Sequence, residues 1–210
     1  MNGQETEAKF YVRDLKRIEM RLLELKAHLI LPRIHEINLR FDNPNGDLRR
    51  EFKVLRLRKD AEAKFTFKGP GVEVGGALSR REIEFTVGDF ESAQQFLDAL
   101  GFTPIVFYEK FRATFELKGI HIMLDELPHG NFVEIEGEDI STLQQVAELL
   151  GLNWDASIKA SYHALFVRAA QKHGLDEANL SFEALKSVSI TAEDMSVVPA
   201  DQNRNKKANP

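Results

Sequence analysis

Apolar and polar residues alternate with a period of two through much of the first two thirds of the chain, which predicts a fold built mainly of strands. Leu55 and Leu57 interleave with Arg56 and Arg58, and Phe65 and Phe67 with Lys64, Thr66 and Lys68. Arg80, Glu82 and Glu84 alternate with Ile83 and Phe85, Lys110 and Arg112 with Phe111 and Ala113, and Glu134 and Glu136 with Val133 and Ile135. Eight strands are read, at residues 5–12, 35–42, 54–59, 64–68, 80–87, 105–115, 121–125 and 132–137. Asn43-Pro44-Asn45-Gly46, Gly69-Pro70-Gly71, Gly75-Gly76, Lys118-Gly119 and Pro128-His129-Gly130 mark the turns, and the short links favour antiparallel hairpins.

Helical spacing takes over in between. Leu15, Ile18, Leu22, Leu25 and Leu29 predict a helix over 14–29 with Asp14 as N-cap. A helix over 89–100 stops at Gly101, and one over 141–150 stops at Gly151. Further helices are expected at 157–173 and 181–186. From residue 191 large apolar side chains become scarce, which predicts an unstructured tail over 191–210. The expected division is one domain over 1–170, a helical extension over 171–190 and that tail.

Composition narrows the partners. With 210 residues, 43% hydrophobic, the chain can bury one core, and its net charge of −5 argues against a nucleic-acid partner. The absence of cysteine removes disulfides, thiolate metal sites and thiol nucleophiles. No apolar run approaches the roughly 20 residues of a membrane span and the start of the chain is polar, so a cytoplasmic protein without a membrane partner is expected.

The charged strand faces carry the candidate chemistry. Taken singly, each strand reads as half-buried, with one face in water. Together they suggest more. The helices need an apolar surface to cover, and the faces bearing Leu55, Leu57, Phe65, Phe67, Ile83 and Phe85 supply it. If the sheet curls, the charged faces then converge on a common interior. Burying so many unpartnered charges would cost several kcal/mol per ion, so the interior must serve a charged ligand. Arginine forks and lysines suit adjacent phosphoryl groups, and carboxylates facing them need a divalent cation in between. Oxygen-only ligands point to Mg2+ or Mn2+. At the start of the chain, Glu5, Glu7 and Lys9 share one strand face. His28, His35, His121, His129, His163 and His173 show no metal spacing, and Trp154 and the phenylalanines are read as core.

The same residues resemble a known family. Glu5-Thr6-Glu7-Ala8-Lys9 is similar to the N-terminal ExExK signature of the CYTH superfamily, the triphosphate tunnel metalloenzymes, which includes class IV adenylate cyclases of the CyaB type and thiamine triphosphatases. Leu55-Arg56-Leu57-Arg58, Phe65-Thr66-Phe67-Lys68-Gly69-Pro70, Arg80-Arg81-Glu82-Ile83-Glu84 and Glu109-Lys110-Phe111-Arg112 follow in the family's order. So do the stretch from Asp125 to Gly137 and Ser161-Tyr162 before Leu165-Phe166. The resemblance implies an α+β fold: an eight-stranded antiparallel closed β-barrel, the triphosphate tunnel, with helices outside. It assigns Lys9, Arg56, Arg58, Lys68, Arg80, Lys110 and Arg112 to the triphosphate, and Glu5, Glu7, Asp125, Glu134 and Glu136 to Mg2+ or Mn2+. Glu82 and Glu84 would orient the basic residues, with Glu5, Glu7, Lys9, Lys68 and Glu134 central to catalysis. Asn38 and Arg40 depart from the pattern, which usually has Asp and Tyr there. The expected activity is metal-dependent hydrolysis of ATP, thiamine triphosphate or tripolyphosphate. The alternatives are class IV adenylate cyclase and a non-catalytic polyphosphate- or nucleotide-binding module. Family similarity also admits a homodimer.

Overall fold

The computed structural model describes residues 4–202, with side chains from residue 6 onward. The alternating segments form β1 (Gln4–Val12), β2 (His28–Asp42), β3 (Val54–Lys59), β4 (Ala63–Val74), β5 (Ala77–Val87), β6 (Thr103–Leu117), β7 (Ile120–Leu127) and β8 (Gly130–Gly137). They lie in the order β2-β3-β4-β5-β1-β8-β7-β6, and β2 also pairs with β6, so eight strands close into a ring. Every ladder around the ring is antiparallel. A ninth strand, β9 (Asn179–Leu180), adds parallel to β6. The sheet is therefore mixed, where alternation predicted a purely antiparallel one. A two-residue strand is too short to leave a period in the sequence.

The helices are α1 (Leu15–Glu24), α2 (Asp47–Arg50), α3 (Phe90–Ala99), α4 (Ile140–Leu149), α5 (Tyr162–His173) and α6 (Phe182–Leu185). Ile18 and Leu22 of α1 and Leu143, Val146 and Ala147 of α4 bury against the outward side chains Ala8, Phe10, Ile122, Leu124, Val133 and Ile135. Ala93 and Leu97 of α3 do the same on Phe41, Leu57 and Phe65. The apolar faces are thus clothed from outside. The expected core residue Trp154 packs on Phe10 at 5.8 Å and donates to the Gly75 carbonyl at 3.1 Å.

Three expectations change. The first helix stops at Glu24 rather than at Leu29, because Lys26 takes a left-handed turn (φ 57°) and the chain enters β2 at His28. Leu29 therefore pairs with Phe115 in the sheet. Gly69-Pro70-Gly71 lies inside β4, at a register shift between Lys68 and Gly71, and does not form a turn. A bulge is one of the few places where a strand accepts proline. Third, residues 191–202 are packed, not loose. Met195 and Ala200 are fully buried, the Ala200 N–H donates to the Tyr11 carbonyl at 2.8 Å, and Asp201 accepts from the N–H groups of Arg13 and Asp14 at 3.0 Å. Two anchors and a few main-chain bonds hold this segment, which leaves no periodic signature. The remainder of the expected tail, 203–210, lies outside the described residues. Among the described residues no helix is long and apolar enough to cross a membrane.

Candidate active site

Register places the charged side chains on the face opposite the helices. Lys9 stands across from Glu134, Arg112 across from Asp125, Lys110 across from Glu36, Arg56 across from both Arg40 and Thr66, and Lys68 across from Glu82. Contacts that skip a strand show that this face is the inside of the curve. Arg112 of β6 reaches Glu134 of β8 at 2.5 Å across β7. Arg58 of β3 reaches Glu84 of β5 at 3.1 Å across β4. Arg56 donates to the Tyr108 hydroxyl, across β2, at 3.4 Å.

One end of the ring is shut. Val106, Tyr108, Leu127 and Phe132 share the inward face with the charged residues, and they pack against Tyr162, Leu165 and Phe166 of α5. Ser161 caps α5 by accepting from the Ala164 N–H at 3.2 Å, which sets Tyr162 at the ring's end. The Tyr162 hydroxyl donates to Asp125 at 2.6 Å, and Lys9 lies 4.4 Å over its ring.

Asp125 is the hub of this end. It is fully buried and accepts from Arg112 Nε at 2.6 Å, Arg112 Nη2 at 2.5 Å, Lys110 at 3.2 Å and Tyr162. Lys110 also pairs with Glu36 at 3.5 Å, and Lys9 with Glu134 at 3.1 Å. Further round, Lys68 meets Glu82 at 2.6 Å and Arg80 meets Glu7 at 3.1 Å. The family model for the CYTH domain matches residues 3–159, which contain every one of these charged residues.

The chain belongs to the CYTH domain family.

Solved structures agree with that fold. A candidate adenylate cyclase from Vibrio parahaemolyticus is similar at 23% identity and TM-score 0.69, covering 77% of this chain and 97% of that one. A Pyrococcus horikoshii protein is similar at 26% identity and TM-score 0.65, covering 78% and 98%. A candidate adenylyl cyclase from Hippeastrum, described as having a dominant triphosphatase activity, is similar at 21% identity and TM-score 0.58, covering 78% and 95%. No curated protein matches the sequence significantly.

The electrostatics of this CYTH domain are set by pairing inside a dry wall. Burial alone would raise the pKa of Glu36, but Lys110, Arg112, Arg56 and Arg58 bring it down to about 2. Burial likewise opposes ionisation of Glu134, yet Lys9, Arg112, Lys110 and Lys68 hold it well below the usual carboxylate range. Burial would lower the Arg112 pKa, and Asp125 and Glu134 lift it far above its ordinary value. Tyr162 is pushed well up by burial and by Asp125. All of these shifts keep the ion pairs charged at neutral pH.

The structure brings together Lys9, Arg56, Arg58, Lys68, Arg80, Lys110, Arg112, Glu7, Glu82, Glu84, Asp125 and Glu134 on the inward face. Glu136 stands opposite Glu7 in register, two residues beyond Glu134. The β1 backbone pairs Glu5 with Arg80, but the Glu5 side chain lies outside the described residues. Among the described residues no three carboxylates or histidines come close enough to hold a metal by themselves. The donor set still fits a hard divalent ion of the Mg2+ kind. Such an ion takes one or two carboxylates and completes its shell with substrate phosphate and water. Glu7 and Glu136 offer a facing pair, with Glu134 alongside. Asp125 fits less well, because its oxygens are committed to Arg112, Lys110 and Tyr162.

Sequence reasoning did not find Glu36 or Tyr162 as parts of the site. Glu36 was legible, since it shares strand parity with Asn38 and Arg40. Tyr162 was not, because its place over Lys9 comes from helix docking.

His129 carries a pH prediction. It is 1% exposed, against the rings of Phe132, Tyr162 and Phe166, and burial, then Lys9 and His163, push its pKa down to about 3. The unfolded chain takes up this proton near pH 6.5 and the folded chain does not until much lower, so acidification favours unfolding. Between pH 7 and pH 5 His129 should remove about 2 kcal/mol of stability. His163 is shifted in the same direction by burial. The shifted carboxylates titrate below about pH 4.5 and stay out of this window. Urea midpoints at the two pH values should converge in His129→Phe relative to wild type. Equal slopes in the two proteins would refute the assignment.

Proposed function

We propose that this CYTH domain is a divalent-metal-dependent triphosphatase. The observation that carries the reading is a set of unmatched donors. Arg40 Nε, Arg56 Nε and Arg58 Nε are buried without a hydrogen-bond partner, on or beside the inward wall. Buried donors of this kind are costly unless a ligand supplies acceptors, and a chain of phosphoryl groups supplies many.

Lys9, Arg56, Arg58, Lys68, Arg80, Lys110 and Arg112 bind and align the phosphoryl oxygens. Arginine forks fix orientation and lysines act as point charges. Glu82 holds Lys68, and Glu84 holds Arg58 and the Thr66 hydroxyl, so these cations are set in place before substrate arrives. Asp125 does the same for Lys110 and Arg112. Glu7, Glu134 and Glu136, with Glu5 on the same strand face as Glu7, would hold Mg2+ or Mn2+. A bound ion of this kind polarises phosphoryl oxygens and makes water a better nucleophile. The described triphosphatase activity of the Hippeastrum relative supports hydrolysis.

The second reading is adenylate cyclase, the activity ascribed to the Vibrio relative. It needs a seat for a nucleoside outside the phosphate site. A cavity of about 370 Å3 at the β3–β4 turn is lined by Lys59, Asp60, Glu62, Asp89 and Phe90, and it joins the ring through the Asp60–Arg58 pair at 3.2 Å. That cavity is rich in acid and does not favour a nucleoside phosphate.

Incubation with Mg2+ and either tripolyphosphate or ATP decides the matter. Orthophosphate is expected, without a cyclic nucleotide, and a chelator should abolish its release. Cyclic AMP with pyrophosphate would transfer the case to the cyclase. Tight binding of both compounds with no product would make the protein a binding module.

A further inference from the structure

Arg40 is the inward cation least compensated by its surroundings. It sits on β2 opposite Arg56 and Val106. Its Nη1 lies 3.5 Å from Nδ1 of His163, whose Nε2 is 2.8 Å from the Glu177 carbonyl. That carbonyl accepts the imidazole proton, so Nδ1 is the neutral acceptor and brings no charge to the arginine. Asp42 is the acid that acts on Arg40, but its oxygens already accept from the N–H groups of Asn43, Leu48 and Arg49 at 2.9–3.0 Å. Burial lowers the Arg40 pKa, and Arg56 and Arg80 add to that pressure. By contrast, Arg80 has Glu7 at 3.1 Å and Arg56 has Glu84 at 3.5 Å. Three guanidinium groups therefore act on one another at the end of the ring that α5 closes.

We propose that Arg40 is a specificity-determining residue that, with Arg56 and Arg80, forms a subsite for an unesterified terminal phosphoryl group. The inference rests on the triphosphatase reading and sharpens its substrate class to a linear triphosphate with at least one free end. Charge and space both select for this group. A free terminal phosphoryl carries nearly one more negative charge than an esterified one and a third unshared oxygen. A guanidinium fork meets two of those oxygens at once. Beyond the subsite Tyr108 and Phe132 pack on Tyr162 and Phe166, which leaves no channel for an organic substituent. The organic part of any substrate must then trail toward the opposite, open end of the ring.

Calorimetric titration in chelator, where no turnover intervenes, tests this with tripolyphosphate and its P1,P3-dimethyl ester. The wild-type protein should bind the unesterified chain at least about tenfold more tightly. Arg40→Gln should weaken tripolyphosphate binding by about 10- to 100-fold and lose the preference. The ligand-free melting temperature of that variant should stay at or above wild type, since an uncompensated cation has been removed. A wild-type protein without the preference overturns the inference, as does a preference that survives in R40Q. Equal weakening of both ligands with a lower melting temperature would mark Arg40 as structural, which also overturns it. If the wild-type protein binds neither ligand, the triphosphate reading itself falls and the subsite falls with it.

Discussion

Replacing Asp125 with alanine will lower the unfolding free energy by about 3–5 kcal/mol and the melting temperature by roughly 6–20 °C. Asp125 is fully buried, and it neutralises Arg112 and Lys110 while accepting the Tyr162 hydroxyl. Its removal leaves Lys110, only 2% exposed, with Glu36 as its remaining partner at 3.5 Å. Arg112 keeps Glu134, which must then also serve Lys9. Breaking a buried pair from one side costs far more than the pair itself contributes, because the surviving charge cannot return to water. Chemical denaturation of the metal-free protein measures the loss. A carboxylate placed mainly to hold a metal would behave in the opposite way. Its loss would relieve repulsion among its neighbours and raise metal-free stability, and that result would return Asp125 to the metal set.

Replacing Lys9 with glutamine should reduce triphosphate turnover by about 10^2- to 10^3-fold, the usual cost of losing one fixed donor to a developing negative charge. Lys9 is held from three directions: Glu134 at 3.1 Å, the Ala160 carbonyl at 3.4 Å and the face of the Tyr162 ring. Such a cation needs little reorganisation when charge builds on a phosphoryl oxygen. Glutamine retains the stem and a donor but brings no charge. Steady-state orthophosphate release at saturating Mg2+ reads the effect. A variant within about threefold of wild type would show that Lys9 serves structure through Glu134 and takes no part in the chemistry.

The wall of the site was legible in the sequence because the strand period is two. Once Leu55 and Leu57 are known to face helices, Arg56 and Arg58 have one direction left. The same logic holds for Lys64, Thr66 and Lys68 against Phe65 and Phe67, and it would have reached Glu36 had β2 been read from its true start at His28. Helical spacing misled there, since Leu25 and Leu29 continue the stripe of α1 although Leu29 belongs to the sheet. Residues 191–202 misled in another way: burial of Met195 and Ala200 is set by where the chain returns to β1, and composition holds no trace of that.

By itself, then, the sequence determined which side chains share a face, which residue types line the interior and which family the pattern resembles. These follow from covalent alternation and need no long-range contact. Only the tertiary structure decided that β2 meets β6 and closes the ring, that α5 shuts one end with Tyr162 on Asp125, and that Arg40 faces other arginines with a neutral histidine as partner. Each of these depends on which distant segments meet, and pairing across more than a hundred residues leaves no local period to read.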